Sequence, residues 1–206
     1  MNRTLVCFCE EEFEQDIPEV FDAGEKPSLY QDVLNGSLMA VPCPTCGKVL
    51  KPEFPFQLKD DGKGVDIFFI PELDRGAYLL SRLDYKPGKH KRIVIGYREL
   101  VEKVKILQAG LDDRVVEMLK YYLLQKAVQS VESDEVSLEI FFHEKKPGGL
   151  TFHIEGLKAD EVAVFDIKQD MYDKVAQSID SESGKEPFDT FLTPPYVSVN
   201  KVYFEP

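Results

Sequence analysis

Four cysteines stand in two short pairs, Cys7-Phe8-Cys9 and Cys43-Pro44-Thr45-Cys46, and thiolates so arranged are the ligand set that a tetrahedral zinc ion prefers. Two turns supplying two sulfurs each complete the coordination when the fold brings them together. In Cys43-Pro44-Thr45-Cys46-Gly47 the two intervening residues let both sulfurs reach one ion, and Gly47 permits the backbone bend that aims amides at sulfur. Cys7-Phe8-Cys9 makes a tighter chelate, and Glu10 stands where such a knuckle usually carries glycine. Two rival readings exist. Free cysteines are often ordinary buried thiols. Cys43 and Cys46 also have the spacing of a disulfide oxidoreductase, but lack the strand-to-helix context that lowers a thiol pKa.

The elements that must position these residues are mainly strands. Residues 4–8 and 11–20 have strand composition, and Ser28 can cap a short helix that closes near Asn35-Gly36. That helix fills the gap between Cys9 and Cys43, which is longer than a usual ribbon loop. Leu38 to Val41 and residues 48–58 flank the second cysteine pair as a hairpin. Asp60 to Gly64 is a turn, and Asp66 to Ile70 resumes as a strand that stops at Pro71.

Helices follow. Tyr97, Leu100, Val101, Val104 and Leu107 recur at helical spacing up to Gly110. Asp112 or Asp113 caps a second helix with Val115, Val116, Leu119, Tyr122, Leu123 and Ala127 on its apolar stripe. The two are expected to form a hairpin. From Val136 the period becomes two: Leu138, Ile140 and Phe142 alternate with polar residues, turn at Lys145 to Gly149, and return as Leu150, Phe152 and Ile154. Glu161 to Asp166 reads as a third strand, Lys168 to Ile179 as a helix, 180–186 as a loop and Val197 to Phe204 as a final strand.

At the residue level the chain resembles the CpXC domain proteins of bacteria and archaea. The resemblance rests on Cys43-Pro44-Thr45-Cys46-Gly47 with Cys7 and Cys9, on Leu34 to Leu38, Phe54-Pro55-Phe56 and Phe68 to Pro71, and on Glu99 to Lys103 and Leu111 to Val115. It covers about residues 4–125. It implies a zinc-binding module without an established activity. The departure is the first knuckle: the family pattern has Cys-Pro-x-Cys twice, and here its first copy is shortened to Cys7-Phe8-Cys9.

Composition narrows the partners. Acidic side chains number 37 against 25 basic ones, and the net charge of −12 repels a polyanion, so nucleic acid is not an expected partner. The one basic run, Lys86 to Arg92, has no interleaved aromatics and reads as a solvated loop. No stretch approaches the ~20 apolar residues that span a bilayer, and the first residues lack a secretory signal, so a cytoplasmic address and no membrane association are expected. In that reducing compartment cysteines serve metals or redox chemistry more than disulfides. His143 and His153 fall on the polar face of the late hairpin, opposite its aliphatics. Asp112-Asp113-Arg114 is better explained as a helix cap than as an acid–base group.

The resulting expectation is an α+β protein. A CpXC-like zinc-binding domain occupies 1–130, made of a zinc-ribbon-like β module with an inserted short helix (1–85) and a helical hairpin (97–130). A small αβ module follows at 131–206. Cys7, Cys9, Cys43 and Cys46 bind one structural zinc ion. No catalytic constellation is found, so the expected role is a non-catalytic interaction or regulatory module with another protein as partner. A redox-responsive zinc switch and a nucleic-acid-binding ribbon are the alternatives.

Overall fold

Short strands punctuated by Pro, Gly and Asp build the first half of the chain, and longer alternating strands with amphipathic helices build the second. In the computed structural model, which describes residues 1–129, 138–158 and 161–202, these halves form two compact units, Met1–Val101 and Glu102–Pro206. The fold is mixed α+β, with the four cysteines in a zinc-ribbon-like module at the N-terminal end.

In the first unit, β1 (Asn2–Val6) and β2 (Glu12–Asp16) form an antiparallel pair in which Val6 faces Glu12 across the Cys7–Glu11 turn. The expected strand over 11–20 is broken at Pro18, and its second part becomes β3 (Val20–Asp22). Helix α1 (Ser28–Leu34) buries Leu29, Tyr30 and Val33. The second cysteine turn is carried by β4 (Val41–Pro42) and β5 (Val49–Leu50), far shorter than the hairpin arms expected at 38–41 and 48–58.

The unit's main sheet has the order β3, β6 (Phe56–Asp60), β7 (Val65–Ile70) and β8 (Arg92–Ile95), with α2 (Arg75–Leu79) in the crossover between its last two strands. β6 and β7 are antiparallel, while β3 and β8 join them in parallel. Phe56 is stacked on Phe69 at 4.7 Å and meets Phe21 edge-on at 5.0 Å, which centres this core. β8 went unread in the sequence because it begins on Arg92, the last residue of the basic run. The rest of that run lies in a loop whose end is pinned: His90 Nδ1 lies 2.7 Å from Asp66 Oδ1, and the Lys91 amide donates to Asp66 Oδ2 at 3.2 Å.

Helix α3 (Gly96–Gln108) begins in the first unit and ends in the second. The division between units therefore falls near residue 101 and not near 130. Helix α4 (Asp113–Val128) shares one core with the C-terminal elements. Asp112 caps it, its Oδ1 accepting the Arg114 amide at 2.9 Å. The apolar stripe was read only in part. Met118 and Leu124 are buried with Val115, Val116 and Leu119, while Tyr122 is exposed.

β9 (Glu139–Lys146), β10 (Gly149–Lys158) and β11 (Glu161–Lys168) form an antiparallel meander with β10 central. Ile140, Phe142, Leu150, Phe152 and Ile154 point into the core, as their alternation requires. Val136, the expected start of this hairpin, lies outside the described residues. Helix α5 (Gln169–Glu182) buries Val175 and Ile179 and continues through the first three residues of the expected loop.

Near the end one element was not read and one expectation is corrected. Phe188–Leu192 is a short helix, α6, which packs Phe188, Phe191 and Leu192 into the core. The final strand is instead a 3-10 turn at Val199–Lys201, and Tyr203 and Phe204 lie outside the described residues. The turn forms because Ser198 receives the Asn200 amide and Glu117 receives the Val199 amide, so these donors are taken by side chains and not by a neighbouring strand.

Candidate metal centre

The two cysteine turns are built alike and differ in length by one residue. In the longer, the Cys43 amide donates to Lys48 O at 2.9 Å and the Gly47 amide donates to Cys43 O at 3.0 Å. In the shorter, the Cys7 amide donates to Glu11 O and the Glu10 amide to Cys7 O, both at 2.9 Å. Gly47 has φ 71° and Glu10 has φ 68°, so each turn closes on one left-handed residue. Cys7-Phe8-Cys9 is thus a complete knuckle with one residue removed, and Glu10 adopts the conformation for which glycine is suited.

All four sulfurs lie within 4.8 Å of one another. Cys7 Sγ is 3.6 Å from Cys46 Sγ, and Cys9 Sγ is 3.7 Å from Cys43 Sγ. A tetrahedron with ~2.3 Å metal–sulfur bonds has edges of ~3.8 Å. The donor set and its spacing therefore fit a tetrathiolate ion, and the four cysteines can hold a metal. Cys7 and Cys43 are buried, and Cys9 and Cys46 face solvent.

Backbone amides tune the sulfurs. Burial pushes the Cys43 thiol up, but the amides of Cys46 and Thr45, together with the Cys7 and Cys46 thiols, bring it down to about 7. The amide of Glu11 pulls the Cys9 thiol down. The thiols of Cys46, Cys7 and Cys43, with burial, outweigh it and raise Cys9 to about 12. Of these two thiols, Cys43 is the more readily ionised. Thr45 and Cys46, not Gly47, supply the amides at sulfur; Gly47 closes the turn.

The Glu10 conformation gives a direct test. A left-handed non-glycine residue costs ~1 to 2 kcal/mol, and glycine returns ~0.5 to 1 kcal/mol of that as greater unfolded-state entropy. Glu10→Gly is expected to stabilise the knuckle by about 0.5 to 1 kcal/mol, read as a severalfold gain in zinc affinity by competition with a chromophoric chelator. Equal or weaker affinity would show that the turn is unstrained.

The other candidate residues do not assemble a site. His143 and His153 stack with ring centroids 3.9 Å apart and planes 16° apart, so their in-plane lone pairs run side by side and do not converge on one ion. Burial and then His153 push the His143 pKa down. His90 meets Asp66 and stacks on Phe68 at 5.0 Å. Asp112 serves as the helix cap, and Asp113 pairs with Lys103 at 2.7 Å. Among the described residues, only the cysteines form a group that can hold a metal.

The sequence reading missed a buried charge cluster. Lys120, 1% exposed, donates to Glu102 Oε2 at 2.9 Å and Glu117 Oε1 at 3.0 Å. Glu102 also accepts the Phe142 amide at 2.6 Å, beside the bulge in β9, and Glu117 accepts the Val199 amide at 2.8 Å. The available signal was the i,i+3 pair Glu117 and Lys120 beside a stripe of aliphatics.

No helix among the described residues is long and apolar enough to cross a membrane. No solved structure matches the chain. An uncharacterized protein of Treponema pallidum (strain Nichols) is 25% identical over 97% of this chain and 97% of its own length. The model of the CpXC protein family matches residues 5–120, a span that holds both cysteine turns, the main sheet of the first unit, α3 and the first half of α4. That match covers more than half of the chain and takes in all four gathered cysteines, so the chain belongs to the CpXC protein family.

Proposed function

We propose that the chain is a non-catalytic interaction module in which one zinc ion on Cys7, Cys9, Cys43 and Cys46 holds the cysteine-bearing strand pairs β1–β2 and β4–β5 in shape. The observation that carries this reading is the closed donor set. Four protein sulfurs at tetrahedral spacing leave no coordination position for water or substrate, which is the arrangement of a structural site and not of a catalytic one. Thiolate ligands favour zinc over the harder cations, which prefer oxygen.

The partner we propose is another protein, with neither nucleic acid nor membrane involved. Phe8, at the tip of the first knuckle, is 91% exposed, and Val6 and Val49 are exposed beside the two turns. Glu10, Glu12 and Glu14 are exposed along the same segment and oppose a phosphate backbone. The proposed address is the cytoplasm, where such thiols stay reduced.

Elemental analysis of the purified chain tests the core of this reading. One equivalent of zinc is expected in the native protein, and a much reduced content in Cys9→Ser, because one ligand of four is lost. Undiminished zinc in Cys9→Ser would remove the short knuckle from the site. Absence of zinc from the native protein would end the structural-zinc reading.

A further inference from the structure

We propose that the cysteine cluster is also an oxidation site, at which hydrogen peroxide joins the two knuckles crosswise, Cys7 to Cys46 and Cys9 to Cys43. This rests on the structural-zinc reading and names how that site is regulated. The sulfur pairs in hydrogen-bond contact already run across the knuckles, at 3.6 Å and 3.7 Å. Each pair joins an exposed cysteine, Cys46 or Cys9, to a buried one, Cys7 or Cys43. The exposed member is reached by oxidant, and its buried partner lies within reach to resolve the product.

The alternative pairing within each knuckle is worse. It would force Cys7 onto Cys9 across Phe8 alone, inside a turn already closed on a left-handed Glu10. Crosswise bonds avoid that small ring and close loops with sequence separations of 39 and 34, which restrain the unfolded chain far more than a bond across two residues. The oxidised chain therefore keeps its knuckles together after the metal is gone.

The step balances as follows. Cys9 Sγ attacks peroxide as the thiolate it would be when ligating the metal: an S–O bond forms, the O–O bond breaks, and the departing hydroxide takes a proton from solvent and leaves as water. Cys43 Sγ then attacks Cys9 Sγ, the S–S bond forms, and the sulfenic oxygen leaves as a second water. Cys46 and Cys7 repeat the sequence with a second peroxide. Each sulfur pair loses two electrons to the peroxide oxygens, and the metal ion passes to solvent as its ligands are consumed. A small dithiol reverses both bonds by exchange.

The test uses the intact chain. Zinc is first quantified, the protein is treated with a few equivalents of hydrogen peroxide, and remaining thiols are alkylated. Chymotrypsin then cuts after Phe8 to separate Cys7 from Cys9, and tandem mass spectrometry assigns the linked residues. Cys7–Cys46 and Cys9–Cys43 are expected to dominate, with metal release in step and recovery on adding dithiothreitol and zinc. A Cys43–Cys46 bond as the main product, or sulfinic acids without disulfide, overturns the proposal. Absence of zinc before oxidation overturns the metal reading alone, because the pairing map is read on the same thiols.

Discussion

Removing the metal with a strong chelator, or replacing Cys43 with serine, is expected to speed amide exchange in β1, β2, β4 and β5 at least about a hundredfold while β6, β7 and β8 stay protected. The two cysteine-bearing sheets have two strands each, and two-stranded sheets are marginal alone. Their apolar anchors are few: Leu5, Ile17, Met39 and Val41, with the sulfurs of Cys7 and Cys43 filling the space between the turns. A structural zinc contributes ~10 to 16 kcal/mol of apparent binding free energy in small zinc peptides, which exceeds what those anchors supply. The main sheet has its own core in Phe21, Phe56, Leu58, Ile67, Phe69, Ile70, Val94 and Ile95, and it holds without the ion. Residue-resolved hydrogen exchange, with and without chelator, separates the outcomes. Persistent protection in β1 and β2 would mean that the ion is not structural, and loss extending to β6–β8 would mean that it supports the whole unit.

The expected effect is confined to part of one unit, whereas the sequence placed the four cysteines in a zinc-ribbon-like module that spans residues 1–85. The difference lies in what short strands conceal. Cysteine spacing was readable because ligand chemistry fixes it. The β9–β10 hairpin was readable because Ile140, Phe142, Leu150, Phe152 and Ile154 alternate over enough residues to define a face. β8 is only four residues long and parallel to a strand more than twenty residues earlier, so nothing local marks it as a sheet member. The terminal segment misled for a related reason. Val197 to Phe204 has strand composition, but the Val199 amide is taken by Glu117, a partner 82 residues away. Glu102, Glu117 and Lys120 drew no reading from the sequence, because charged residues usually sit in solvent. Their burial is a tertiary fact: each carboxylate receives a backbone amide that the local fold leaves without a ladder partner.

That cluster carries the second large effect. Lys120→Met is expected to lower the stability of the C-terminal unit by about 3 to 5 kcal/mol at neutral pH, or about 15 to 30 °C in its Tm. Methionine conserves volume, so the loss comes from leaving Glu102 and Glu117 buried without their cation. Burial holds the Glu117 carboxyl above its usual range. Lys120 and Lys103 pull it back down, Glu102 pushes it further up, and the Val199 amide lowers it. With Lys120 gone, the folded-state pKa of Glu117 rises further. A carboxyl whose folded pKa lies above its unfolded value contributes stability that is complete below the unfolded pKa and is lost as pH rises through the folded one. The deficit of Lys120→Met should therefore be smallest near pH 4 to 5, around the ~4.3 of an unfolded glutamate, and should grow toward pH 7. Thermal unfolding of both proteins from pH 4.5 to 7.5, followed by hydrogen exchange in β9, β10 and α4, measures it. Adding Glu102→Gln and Glu117→Gln should recover much of the loss, because neutral amide oxygens still accept from Phe142 and Val199 and no unpaired charge remains. A Lys120→Met protein with native stability and a flat pH profile would show that the three groups are not ionised together in the folded chain.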